Sequence, residues 1–251
     1  MLDTRVRVHV RARRASSLGE VRVEDRYLLS KDRSIRVLME GDHVRRCVFV
    51  DQQSRDPWDV TVFEALSGSE TVGRVLIVGG GASNLPRTMV RSRPDLTVDV
   101  AERTAAVVEL GREHLETGLD LENGGRLRVH IGNLDDMLEG LGGAYDVAFV
   151  DTSAMAPTGG AAGLSSRARG ALWARLSDTG LLAAGPLNTH VGSWSFPEGI
   201  HVAHYERPIG SEISGLGVSL PSVEVVVLAR RDGSTAPWPD HLGDFARTDL
   251  T

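Results

Sequence analysis

The sequence predicts an α/β fold, a parallel sheet with helices on both faces, preceded by a small antiparallel β unit. Three observations carry this. Short β-rich segments separated by polar turns fill residues 1–52; from residue 74 apolar strand runs alternate with helical segments; and VLIV (75–78) runs straight into three glycines, as a buried strand does when it ends in a tight turn.

Taken in order, VRVHVRA, EVRVEDRYLL, SIRVLME and RRCVFVD read as four strands, with turns at points such as Glu40–Gly41–Asp42. WDVTVFEALS suits a short helix. The alternation then gives strand 74–79, a helix after Pro86, strand 96–102, helix 104–118, strand 126–132, helix LDDMLEGL, strand 145–151, helix 165–178 and strand 180–185. Repeated βα units with apolar strands imply a parallel sheet covered on both faces. The next segment, PLNTHVGSWSFPEGI, holds two prolines and two glycines and cannot form a regular helix. Its Trp194 and Phe196, or another subunit, are expected to cover the sheet face that a helix would otherwise protect. HVAHYE (201–206) and SVEVVVLARRD (222–232) read as the last strands. The division is therefore a β unit at 1–52, a nucleotide-binding domain at 53–232 and a polar tail at 233–251.

The chain has 251 residues and a net charge of −6, with twelve Lys/Arg against seven Asp/Glu in residues 1–50, a balance of +5 that leaves −11 for the rest. The basic segment alternates Arg with Val, as a half-solvated strand does, and forms no clustered phosphate site, so no nucleic-acid partner is expected. No apolar run reaches the roughly 18 residues of a membrane span, and the N-terminus has no apolar leader core. A cytoplasmic protein without membrane contact is the expectation. The lone cysteine, Cys47, excludes an internal disulfide and any multi-cysteine metal site. His201 and His204 lie three apart on a strand and so face opposite sides, and no metal is expected.

Gly79, Gly80 and Gly81 are followed by Glu102, 21 residues after Gly81, at the end of the second strand of the alternation. A glycine turn lets backbone approach a ligand, and a carboxylate at that spacing can accept from both ribose hydroxyls. The dinucleotide pattern G-x-G-x-x-G is incomplete, and no Lys-Ser/Thr pair follows for a triphosphate; the lone lysine, Lys31, is far away. A phosphate-free adenosine ligand fits best, S-adenosylmethionine or a relative. Asn133, with Leu134 beside it, follows the third strand where an amide can reach an adenine edge, and Asp151 ends the fourth. All converge on the crevice outside the carboxyl ends of the strands. Plainer roles exist for each: Glu102 and Asp151 as capping or solvated carboxylates, Asn133 as a turn residue.

VLIVGGG, VDVAERTAAVVELGREHL, LRVHIGN and YDVAFVDTS resemble the spermidine synthase family over about Ser34 to Gly185. The resemblance implies a Rossmann-like S-adenosylmethionine-dependent methyltransferase fold with a small N-terminal β domain, S-adenosylmethionine or its decarboxylated form as cofactor, and a homodimer. It places Glu102 on the ribose-binding acid, Asn133 on an aspartate that contacts adenine, and Asp151 on the first motif aspartate, which helps deprotonate the attacking amine. Departures are specific. Ala82 stands where the family has an aspartate that holds the aminopropyl ammonium, Ala154 replaces an amine-pocket acid, Val62-Phe63-Glu64 replaces a Tyr-His-Glu stretch, and a glutamine of the β unit is replaced near Arg45 or Arg46. Losing two charge-assisted hydrogen bonds costs a diamine roughly a hundredfold to ten-thousandfold in affinity. Ordinary transfer to putrescine is therefore not expected. The expected activity is methyl or alkyl transfer to a small-molecule acceptor, with Asp151 as base and His190 as a second candidate. The alternatives are a non-catalytic adenosine-binding protein and an aminopropyltransferase with an unusual amine.

Overall fold

The computed structural model describes residues 6–28, 33–50, 71–115, 124–151, 164–185, 200, 202–208, 223–232, 234 and 246–250. Four strands, β1 (Val6–Ser16), β2 (Gly19–Leu28), β3 (Arg33–Glu40) and β4 (His43–Phe49), form an antiparallel sheet in sequence order. The second sheet has eight strands in the order β12-β10-β11-β9-β8-β5-β6-β7. Its strands are β5 (Arg74–Val78), β6 (Thr97–Glu102), β7 (Leu127–Ile131), β8 (Tyr145–Asp151), β9 (Leu176–Gly185), β10 (Val202–Pro208), β11 (Val223–Arg230) and β12 (Ala246–Leu250). β5 through β9 are parallel, and β11, β10 and β12 add on antiparallel.

The apolar runs seen in the sequence are explained by two-sided burial. Val75 and Ile77 of β5 join Val98, Val100, Val147 and Phe149 in one core cluster, which α1 (Leu85–Ser92) covers with Leu85, Met89 and Val90. Leu76 and Val78 point the other way, to a cluster closed by Leu138 of α3 (Leu134–Gly140) and by Ala168 and Leu172 of α4 (Ser166–Ala174). A third cluster joins the two sheets. Val21, Val23 and Leu38 of the small sheet pack on Ala82 and on Ala106, Val107 and Leu110 of α2 (Ala105–His114). Arg36 Nη1 donates to the His114 carbonyl at the end of α2 (3.0 Å), fixing that contact with a polar bond.

Three sequence expectations change. The helix expected at 165–178 ends at Ala174, because Leu176 already pairs with Tyr145. The register then jumps to Val147↔Leu181, so Ser177–Gly180 form an irregularity inside β9 where the sequence shows only turn-like residues. The tail expected at 233–251 contributes β12, whose residues Ala246–Leu250 pair with β10 and take the edge of the large sheet. The strand expected at 74–79 stops at Val78, since Gly79 turns left-handed at φ 91°. The WDVTVFEALS helix and the loop with Trp194 and Phe196 lie outside the described residues. Among the described residues no helix is long and apolar enough to cross a membrane.

Candidate functional site

The strand order places the candidate residues along one rim. Asn133 follows β7, Glu102 ends β6, Gly79–Gly81 follow β5 and Asp151 ends β8, and these strands are neighbours in that order. Gly79 needs its missing Cβ for the left-handed turn. Gly81 has an immediate structural reason to be glycine. A Cβ there would lie 2.5 Å from Glu102 Cγ, so the close approach it permits is that of Glu102 itself.

Glu102 is fully buried. Its Oε1 accepts from Arg45 Nη2 (3.1 Å) and the Thr104 amide (3.1 Å), and its Oε2 from the same Nη2 (3.0 Å) and the Gly81 amide (3.3 Å). A carboxylate has about four acceptor positions, so this one is filled by the protein. Arg45 also pairs through Nη1 with Glu40, which in turn accepts from Thr104 Oγ1 (2.9 Å) and Arg103 Nη2 (3.3 Å). Arg45 Nε is buried with no hydrogen-bond partner. Burial pushes both acids upward. For Glu40 it is outweighed by Arg45, Thr104 and Arg103, which hold it below the usual carboxylate range. Among the described residues Glu102 pairs with Arg45 alone and also feels Glu40, and burial leaves it above its usual value.

Arg45 reaches this position through a bulge. The β3–β4 register steps from Leu38↔Arg46 to Met39↔Val44, so Arg45 is an extra residue and need not alternate with Arg46. Both side chains are thereby buried. Arg46 Nη2 lies 3.3 Å from Asn84 Oδ1, just past the glycine turn, and the negative charge of Asp151 favours its charged form against the burial that lowers it. Arg45 also feels Asp151. The rim thus holds two arginines from the small sheet that sequence reasoning placed only as replacements. The available signal was the Arg-Arg pair itself, charge at both parities of a strand.

Asn133 is the N-cap of α3, its Oδ1 accepting from the Asp135 (2.9 Å) and Asp136 (3.3 Å) amides. Its Nδ2 is the part left to address a ligand, and Leu134 beside it packs at the margin of the core. Asn133→Ala should cost about 1 kcal/mol of stability through the lost cap, read as a shift of the urea midpoint at unchanged m-value. His190, Ala154 and Val62–Glu64 fall outside the described residues. Among the described residues no group of three or more metal-ligating side chains occurs.

A cavity of about 510 Å³ lies elsewhere, toward the amino ends of the strands, lined by Arg74, Asp99, Arg128, His130 and the turn after α3. Asp99 is buried in its wall, accepting from Arg74 Nη2 (2.9 Å), Tyr145 Oη (3.0 Å) and His130 Nε2 (2.8 Å). Arg74 also stacks over the Tyr145 ring at 4.4 Å. This cluster is structural in form: four strands of the sheet each supply one member.

The small antiparallel sheet joined to a mixed, centrally parallel one matches the fold of the spermidine synthases. Spermidine synthase from Thermotoga maritima superposes with a TM-score of 0.61 at 13% identity, over 94% of this chain and 84% of that one. A spermidine synthase in complex with the transition-state analogue AdoDATO gives 0.62 at 14% identity, over 94% and 85%. A probable spermidine synthase from Corynebacterium glutamicum gives 0.58 at 16% identity, over 89% and 81%. No protein-family model matches the chain.

Proposed function

We propose that this chain binds an adenosyl sulfonium, S-adenosylmethionine or its decarboxylated form, across the glycine turn and moves a methyl or alkyl group from it to a small-molecule acceptor. The observation that supports this is the rim: four candidate positions at the carboxyl ends of four adjacent strands, where open α/β sheets take their ligands. Glu102 would hold the ribose, the Asn133 amide and Leu134 the adenine, and Asp151 would accept the acceptor's proton. When bound, the sulfonium supplies an activated carbon, so the protein has mainly to align the acceptor and remove that proton. Ala82 and two buried arginines make a poor pocket for a diammonium, which argues against putrescine as acceptor. The residues fit such a nucleoside on one condition, that Arg45 Nη2 yields its place on Glu102.

That condition favours a second reading, a binding protein without turnover, in which the Arg45–Glu102 pair keeps the site closed until a ligand displaces it. Calorimetry against S-adenosylmethionine, S-adenosylhomocysteine and methylthioadenosine, with Glu102→Ala beside the unaltered protein, tests both. Binding that falls at least about tenfold in the variant supports the site, since a ribose loses charge-assisted hydrogen bonds. Formation of S-adenosylhomocysteine or methylthioadenosine from a cell extract then separates enzyme from binder. No binding, or equal binding by the variant, removes the proposal.

A further inference from the structure

We infer that the cavity toward the amino ends of β5, β6 and β7 is a second binding site, for a small organic monoanion, a carboxylate on an apolar body, with Arg128 as its cation. It stands independently of the nucleoside reading, because the cavity lies at the end of the sheet opposite the rim. α3 runs between the two. Its cap, Asn133, belongs to the rim, while Met137 and Gly140 near its other end line the cavity.

Strand register builds the polar wall. Leu76 pairs with Asp99 and Asp99 with Arg128, so Arg74, Asp99, Arg128 and His130 share one face of the sheet through the two-residue period of a strand. Two cations, Arg74 and Arg128, thus meet one carboxylate, Asp99, around the cavity. Asp99 already accepts from Arg74, Tyr145 and His130, so most of the roughly four acceptor positions of a carboxylate are used and a cationic ligand finds little there. Its charge is answered by Arg74 at 2.9 Å. Arg128 takes no part in that cluster. It is exposed, and among the described residues its one hydrogen bond runs from Nε to the Gly125 carbonyl at 3.3 Å, which leaves both Nη groups for a ligand.

The lining therefore carries one positive charge in excess, which a single negative charge would match. A carboxylate suits it best, since the planar guanidinium fork fits its two oxygens. Met137 and Leu141 supply the apolar part of the lining, against which a hydrocarbon body can lie. A volume of about 510 Å³ falls in the range that small-molecule sites occupy.

The test is calorimetry of the full chain with benzoate, benzamide and inorganic phosphate, beside an NMR titration that follows the His130 ring, 34% exposed on the cavity wall. Benzoate should bind and move the His130 signals. Benzamide, of the same shape without the charge, and phosphate, charged without the apolar body, should each bind at least about tenfold more weakly. Arg128→Gln should weaken benzoate about five- to tenfold at an unchanged urea midpoint, and Arg128→Lys, which keeps the charge but not the fork, should fall between. Equal binding of benzamide overturns the anion, and equal or tighter binding of phosphate overturns the organic ligand class. Benzoate that binds without moving His130, or as tightly to Arg128→Gln as to the unaltered protein, overturns the site. No binding of benzoate at millimolar concentration overturns the inference as a whole and leaves the nucleoside reading standing.

Discussion

Arg45→Met unfolds at a much lower urea concentration than the unaltered protein, with a loss of about 3–5 kcal/mol at pH 8. Arg45 is the shared cation of two carboxylates, Glu40 and Glu102, both wholly buried. Removing it leaves like charges facing each other away from water, and breaking a buried pair from one side costs about that much. Glu40 retains Arg103 and the Thr104 hydroxyl, whereas Glu102, among the described residues, keeps only the Gly81 and Thr104 amides. Glu102 is already held above its usual value by burial, and without Arg45 it rises further. The folded variant then binds more protons than its unfolded chain, so its stability falls as pH rises between the ordinary carboxylate range and the new folded value. Urea melts at pH 5.5 and pH 8 should therefore show the larger deficit at pH 8, by up to about 1.4 kcal/mol per pH unit for one proton. A variant as stable as the unaltered protein at pH 8, or one whose deficit grows toward acid, would show that the pair contributes nothing of this kind.

Much of the fold was legible in the sequence because its strands are buried on both faces and therefore read as mainly apolar runs. β5, β6 and β8 are of this kind, and their ends were placed within a residue. Local chemistry failed where the three-dimensional partner decided the outcome. Ser177–Gly180 look like a turn yet sit inside β9, because Leu176 is claimed by Tyr145. Ala246–Leu250 have no apolar pattern and become a strand only because β10 offers an open edge. The site shows the same division. Glycine turn, Glu102, Asn133 and Asp151 follow from position after a strand, a local property. The arginine that fills Glu102 arrives from 57 residues away through a bulge, and nothing at Glu102 announces it. Gly81 was read as room for a ligand, but its immediate constraint is Glu102.

Asp99→Asn should lose about 2–4 kcal/mol, the second large effect. Asp99 sits in the middle of an otherwise apolar strand, 1% exposed, and accepts three hydrogen bonds from β5, β7 and β8. An amide keeps one acceptor oxygen and turns a donor toward at least one of Arg74, Tyr145 and His130, leaving buried donors unmatched at about 1–3 kcal/mol each. Burial raises the Asp99 carboxyl, but the hydrogen bonds from His130, Arg74 and Tyr145 outweigh it and hold it below its ordinary 3.8. The unfolded chain thus binds the extra proton. The contribution is full above that ordinary value and is lost as pH falls through the depressed folded value. The gap between the unaltered protein and Asp99→Asn should accordingly be widest at pH 5 and above and should narrow toward pH 2 to 3, in chemical denaturation at each pH. If the deficit reflects unmatched donors, and not the missing charge as such, then Asp99→Leu with Arg74→Met and Tyr145→Phe should recover much of it, because replacing buried polar partners together by apolar groups of similar size is often neutral and the remaining member, His130, is 34% exposed and can turn to water. A triple variant no more stable than Asp99→Asn would instead mean that the cluster fixes the packing of β5 to β8 in a way apolar contact cannot replace.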